Sequence, residues 1–163
     1  MPSDILTTLA TLVGARLRAK GMMLATAESC TGGGVAQAVT AIGGSSEWFE
    51  RGFVTYSDAA KEEMLGVSAR TLAAYGAVSE QTAREMAAGA LAHSRAQAAV
   101  AITGIAGPTG GSPEKPLGMV CFAWAIKGGV VSAVTQRFHG DRESVRRQSV
   151  IAALQGVLEL LEA

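Results

Sequence analysis

Two short segments of this 163-residue chain carry side chains that could do covalent chemistry together. The first is AESCTGGG, residues 27–34, with Ser29 at its centre; the second is YSDAAK, residues 56–61, ending in Lys61. A serine hydroxyl becomes a nucleophile when a neighbouring base takes its proton. Lys61 could be that base if burial or the positive start of a helix lowers its pKa. Glycines 32–34 let a ligand approach the backbone, and N–H groups at a strand-to-helix junction can meet a developing oxyanion. Each segment also has a plain explanation. Ser29 or Thr31 could simply cap a helix, and Lys61 could be a solvated surface lysine beside a core Tyr56.

Two more segments could hold a ligand. TGIAGPTGG, residues 103–111, opens a Gly/Pro stretch of about 15 residues, long enough for a binding loop or a lid, though a plain connector remains open. GDRESVRR, residues 140–147, places Arg142 and Arg146 at i and i+4 on one helix face. That spacing suits a phosphate, and equally suits a solvated pair balanced by Glu143. Cys30 is a second possible nucleophile, but no His or Asn stands near it in sequence to activate it. It reads as a small buried packing residue.

The elements that must position these residues follow from periodicity. Apolar positions Ile5, Leu9, Leu12, Val13 and Leu17 predict a helix over 4–20, capped by Ser3 or Asp4 and closed by Gly21. Strands are expected at 22–29, 52–57, 96–103, 118–126 and 130–139. Helices are expected at 31–42, 58–65, 80–95 (with Ser79 as N-cap) and about 141–161, and residues 66–79 read as a loop containing Gly76. Lys127, Gly128 and Gly129 make a hairpin turn between the last two strands. Strands alternating with helices, then a hairpin, predict an α/β fold with a mixed sheet covered by helices, in one domain over residues 1–163.

Composition narrows the function. Lys plus Arg and Asp plus Glu are 14 each, so no net field draws in nucleic acid or a membrane surface. No apolar run reaches the roughly 20 residues of a membrane helix, and the N-terminus lacks a signal-peptide pattern. The only two cysteines, Cys30 and Cys121, suit a reducing cytoplasm. The only two histidines, His93 and His139, are far apart, so no metal site is expected.

The ordered set AESCTGG, GSSEWFERGFVTYSDAAK, GAVSE, TGIAGPTGGSPEKPLG and GDRESVRRQ resembles the CinA C-terminal domain family, which includes free-standing nicotinamide-nucleotide amidases. The likeness runs over nearly the whole chain. It implies a three-layer α/β/α sandwich with a mixed, mostly parallel sheet. It also implies hydrolysis of the carboxamide of nicotinamide mononucleotide to nicotinate mononucleotide and ammonia, without metal or cofactor, in pyridine-nucleotide recycling. By that resemblance Ser29, Tyr56 and Lys61 would be catalytic. Cys30, Thr31, Gly32, Gly33, Ser46, Thr103, Gly104, Gly107, Arg142 and Arg146 would bind substrate. Lys61 would take the Ser29 proton directly or through Tyr56, and a homodimer is the expected assembly. Asp58 stands where Asn is usual and Met119 where Thr is usual; Asp58 would favour the charged form of Lys61. The competing expectations are a non-catalytic nucleotide-binding module, a cysteine hydrolase, and an interaction protein of a competence or DNA-damage pathway.

Overall fold

The computed structural model describes residues 4–162. In chain order the elements are α1 (Ile5–Lys20), β1 (Leu24–Glu28), α2 (Gly34–Thr40), a 3-10 turn (Ser45–Glu47), β2 (Phe49–Val54), α3 (Asp58–Leu65), α4 (Ala69–Tyr75), α5 (Glu80–Ala92), β3 (Ala98–Gly104), β4 (Met119–Ile126), β5 (Val131–Arg137) and α6 (Arg142–Glu162). The five strands form one sheet in the order β2-β1-β3-β4-β5. β1 lies parallel to β2 and β3, while β4 is antiparallel to both β3 and β5, so only β4 runs against the other strands. This is the expected mixed, mostly parallel sheet.

Strand alternation gives the sheet two unlike faces. One carries Leu24, Val100, Ile102, Phe122 and Trp124 against α1, α2 and α6. The other carries Ala25, Ala27, Ala99, Ala101, Ala123 and Ala125 against α5. Three layers result. The methyl-only face lets α5 come close, and α5 in turn grips the end of α3: a Cβ on Gly89 would lie 1.9 Å from the Leu65 carbonyl oxygen. Leu65 and Lys61 are the buried residues of α3, four apart on one face. The packing that buries Leu65 therefore buries Lys61 as well.

Caps appear largely where the sequence puts them. Asp4 accepts the Leu6 N–H at the start of α1, and Gly21 ends it with φ 65°; Ser3, the other candidate, lies outside the described residues. Ser79 caps α5. Most element ends shift by a few residues, β2 for example starting at Phe49 rather than 52, and three differences bear on the site. Residues 66–79 hold α4, started by Ser68, and because α4 buries no residue it has no apolar stripe to announce it. α2 begins at Gly34 rather than Thr31, because Gly32 and Gly33 adopt left-handed φ. β2 ends at Val54, so Tyr56 lies beyond the strand. Among the described residues no helix is long and apolar enough to cross a membrane.

Gly89→Ala should lower the melting temperature by several degrees in thermal circular dichroism. Alanine gains about 1 kcal/mol of helix propensity over glycine, but overpacking against rigid backbone costs up to about 3 kcal/mol, at about 2–4 °C per kcal/mol. A raised Tm would contradict the close α5–α3 packing.

Candidate active site

The turn after β1 is fixed from two sides. Glu28 ends β1 and is only 1% exposed. Its carboxylate accepts from Thr31 Oγ1 (2.6 Å), Val35 N (2.9 Å) and Ala36 N (3.1 Å). The first N–H groups of α2 are thus consumed inside the protein, and they are not the anion site expected at this junction. From the other side, Arg146 donates through Nε to the Cys30 carbonyl and through Nη2 to the Thr31 carbonyl, both at 3.2 Å. Between these clamps, Gly32 N donates to Ser29 O and Gly34 N to Thr31 O, each at 3.0 Å, giving two successive turns. Gly32 (φ 58°) and Gly33 (φ 100°) occupy conformations that disfavour a side chain. Among the described residues, the N–H groups of Cys30, Thr31 and Gly33 have no partner.

Ser29 and Lys61 meet because β1 and β2 are adjacent parallel strands. Thr55 N donates to Glu28 O at 2.8 Å, so the chain leaving β2 stays beside the chain leaving β1. α3 then starts on Ser57, whose hydroxyl accepts from Ala60 N. Lys61 is 1% exposed. Its Nζ lies 3.0 Å from Ser29 Oγ, 3.0 Å from Thr55 O and 3.3 Å from Tyr56 O. A neutral amine has two N–H donors and one lone pair. The two carbonyls can only accept, so they take both donors and leave the lone pair for the Ser29 hydroxyl. Burial pushes the Lys61 pKa below the usual lysine value, and Asp58 opposes that shift.

Ser29, Cys30, Lys61, Thr103, Ala106 and Arg142 are among the lining of a cavity of about 230 Å³. A second cavity, about 450 Å³, adjoins it and shares Ala106 and Arg142. Arg142 spans the junction, donating to Gly107 O (2.8 Å) and to the Tyr56 hydroxyl (3.3 Å). Tyr56 lines the smaller cavity but is 62% exposed, so its phenol does not stand between Ser29 and Lys61; its carbonyl is what meets the amine. Thr103 donates its hydroxyl to Ala77 O at 2.8 Å, and Thr31 spends its own on Glu28. Gly104 lines the smaller cavity and Gly107 the larger.

Two expected roles change. Arg142 and Arg146 share a helix face, yet only Arg142 reaches the cavities; Arg146 is committed to the carbonyls of the turn. Ser46 precedes β2, at the end of the sheet opposite Ser29, about 20 Å away by strand length, and does not join the site. Sequence reasoning missed Glu28, Ala77, Val78 and Ala106. Only Glu28 gave a signal, as a lone carboxylate closing an apolar run. Among the described residues no three His, Cys, Asp or Glu side chains gather to hold a metal.

A family model for the CinA C-terminal domain matches residues 6–161. This chain belongs to the CinA C-terminal domain family. Within it, the chain is 58% identical to a nicotinamide-nucleotide amidohydrolase PncC of Enterobacter agglomerans, over 90% of this chain and 89% of the relative. It is 53% identical to the protein of the same name from Pseudomonas putida, over 96% and 98%. The crystal structure of a competence/damage inducible protein from Agrobacterium tumefaciens superposes with a TM-score of 0.95 at 46% identity, covering 100% of this chain and 99% of that one.

Both cysteines of this family member are buried. Burial pushes the Cys30 thiol up to about 12, and Cys121 is raised as well. Neither thiol should react with a disulfide reagent at about pH 8 until the protein unfolds, because the thiolate is the reactive form. Fast labelling of Cys30 in native protein would restore it as a nucleophile candidate.

Proposed function

We propose that this chain hydrolyses the carboxamide of nicotinamide mononucleotide to nicotinate mononucleotide and ammonia, with Ser29 as nucleophile and Lys61 as its base. The observation that carries this is the buried Lys61 Nζ, 3.0 Å from Ser29 Oγ, with the Thr55 and Tyr56 carbonyls beside it at 3.0 and 3.3 Å. The relatives named nicotinamide-nucleotide amidohydrolase, over 50% identical across most of the chain, support the substrate.

Lys61 takes the Ser29 proton, and Oγ attacks the carboxamide carbon. The N–H groups of Cys30 and Thr31 receive the oxyanion; one such donor is typically worth about 3 kcal/mol. The Lys61 ammonium then gives its proton to the amide nitrogen, the C–N bond breaks, and ammonia leaves an acyl ester on Ser29. Water attacks that ester, passing its proton to Lys61, and collapse returns a proton to Ser29 and releases the carboxylate. Arg142, at the mouth between the cavities, holds the 5′-phosphate. The tyrosine phenol orients this guanidinium rather than relaying a proton. The buried free thiols support a cytoplasmic setting, and the relatives named nicotinamide-nucleotide amidohydrolase support a place in pyridine-nucleotide recycling.

Ser29→Ala should lower ammonia release by at least about a thousandfold. Lys61→Arg should be nearly inactive, since guanidinium keeps its proton. Activity should rise with pH as Lys61 loses its charge, at a pH below the ordinary lysine pKa. Asp58→Asn should move that rise lower, because it removes the carboxylate that favours the ammonium. Near-parental turnover in Lys61→Arg would leave the lysine as an electrostatic anchor only.

Arg142→Ala should raise KM for the mononucleotide at least about tenfold, the worth of one charged hydrogen bond, with little change for nicotinamide riboside. Equal losses on both would place the phosphate elsewhere.

A further inference from the structure

Arg146 makes no contact with either cavity at the site, yet it holds two consecutive carbonyls of the turn that carries the nucleophile. In a trans peptide the C=O and the following N–H point in opposite directions. A Cys30 carbonyl turned toward Arg146 therefore turns the Thr31 N–H away from it. The Ser29 carbonyl, held by Gly32 N at 3.0 Å, likewise sets the Cys30 N–H. Ser29 begins this turn, and among the described residues the N–H groups of Cys30, Thr31 and Gly33 within it have no partner. Guanidinium is suited to this task. Its planar fork presents Nε and Nη2 side by side, so one side chain fixes two peptide planes at once. A Cβ on Gly32 would lie 3.2 Å from Arg146 Nη2, so the fork is seated closely against the turn.

We infer that Arg146 is a positioning residue for the oxyanion site: by holding the Cys30 and Thr31 carbonyls it fixes the peptides that carry the Thr31 and Gly33 N–H groups, and so aims the Thr31 N–H at the oxygen that becomes negative. This rests on acyl transfer through Ser29. It gives two of the three arginines of α6 separate tasks, Arg142 toward the substrate and Arg146 toward the backbone that stabilises the intermediate. Loss of Arg146 frees the Cys30–Thr31 peptide to rotate, so the penalty falls on the transition state and spares the ground state.

The test uses Arg146→Gln and Arg146→Lys beside the parent. Three readouts are taken: kcat and KM for nicotinamide mononucleotide, the melting temperature, and the rate at which a fluorophosphonate labels Ser29. The label forms a tetrahedral adduct with its own oxyanion and needs no nucleotide. Arg146→Gln should lose about a hundredfold in kcat, as for a missing oxyanion donor, with labelling slowed in step and KM held within about threefold. Arg146→Lys, which can reach one carbonyl, should fall between. Where Arg146→Gln does not fold, Arg146→Lys carries the test through the same loss in kcat and labelling at unchanged KM. A raised KM with parental kcat and labelling overturns the inference and makes Arg146 a substrate anchor; parental values throughout also overturn it. A parent that neither labels nor releases ammonia overturns the Ser29 mechanism itself, which is a different result.

Discussion

The buried carboxylate of Glu28 ties the sheet to the chemistry. It sits at the end of β1, beside the centre of the sheet, and gives its two oxygens to Thr31 and to the first N–H groups of α2. A carboxylate at 1% exposure is tolerable only when its lone pairs are met, and three donors meet them. Hydrogen bonds to a charged group are worth about 1.5–3 kcal/mol each, while one left unmade inside the protein costs as much or more. The start of α2 is thereby fixed relative to β1. The residues between, which include Ser29, have no freedom to settle elsewhere.

Around that anchor the turn is polarised. Its carbonyls are held by Arg146, Gly32 and Gly34, and among the described residues the N–H groups of Cys30, Thr31 and Gly33 are left without partners. The lysine beside it is placed by different means. No ion pair brings Lys61 to the serine; α3 is pressed inward by Leu65 against α5, and the amine is left among carbonyls. Burial works against the ammonium and Asp58 works for it, with burial the larger effect. Its proton is thus held less firmly than that of an ordinary lysine.

Much of this was legible in the chain. Adjacent parallel strands share a rim, so AESCTGGG and YSDAAK were bound to meet although Ser29 and Lys61 are 32 residues apart. Gly21 and Ser79 announced their helix ends because capping is local chemistry. What stayed hidden depended on the third dimension. α4 buries nothing, so periodicity had nothing to report. β2 is an edge strand whose partly exposed Phe49–Val54 lacks a clean alternation, so its start was misplaced. Arg142 and Arg146 have the same type, spacing and helix; only the direction of the neighbouring carbonyls separates them. Ser46 shares its segment with Tyr56 and Lys61 but sits at the far end of the strand that joins them.

The alanine face of the sheet has a consequence for how this protein tolerates change. Ala99, Ala101, Ala123 and Ala125 are far from substrate in role, yet their methyl groups set the gap between sheet and α5. That gap propagates through Leu65 to the amine. One added methylene there would act as a shim, lifting a helix and withdrawing a base from its serine by tenths of an ångström. A random-mutagenesis screen scored on turnover would therefore return silent-looking aliphatic positions in the centre of the sheet alongside the reacting groups. In this molecule the smallest side chains serve as its calibration.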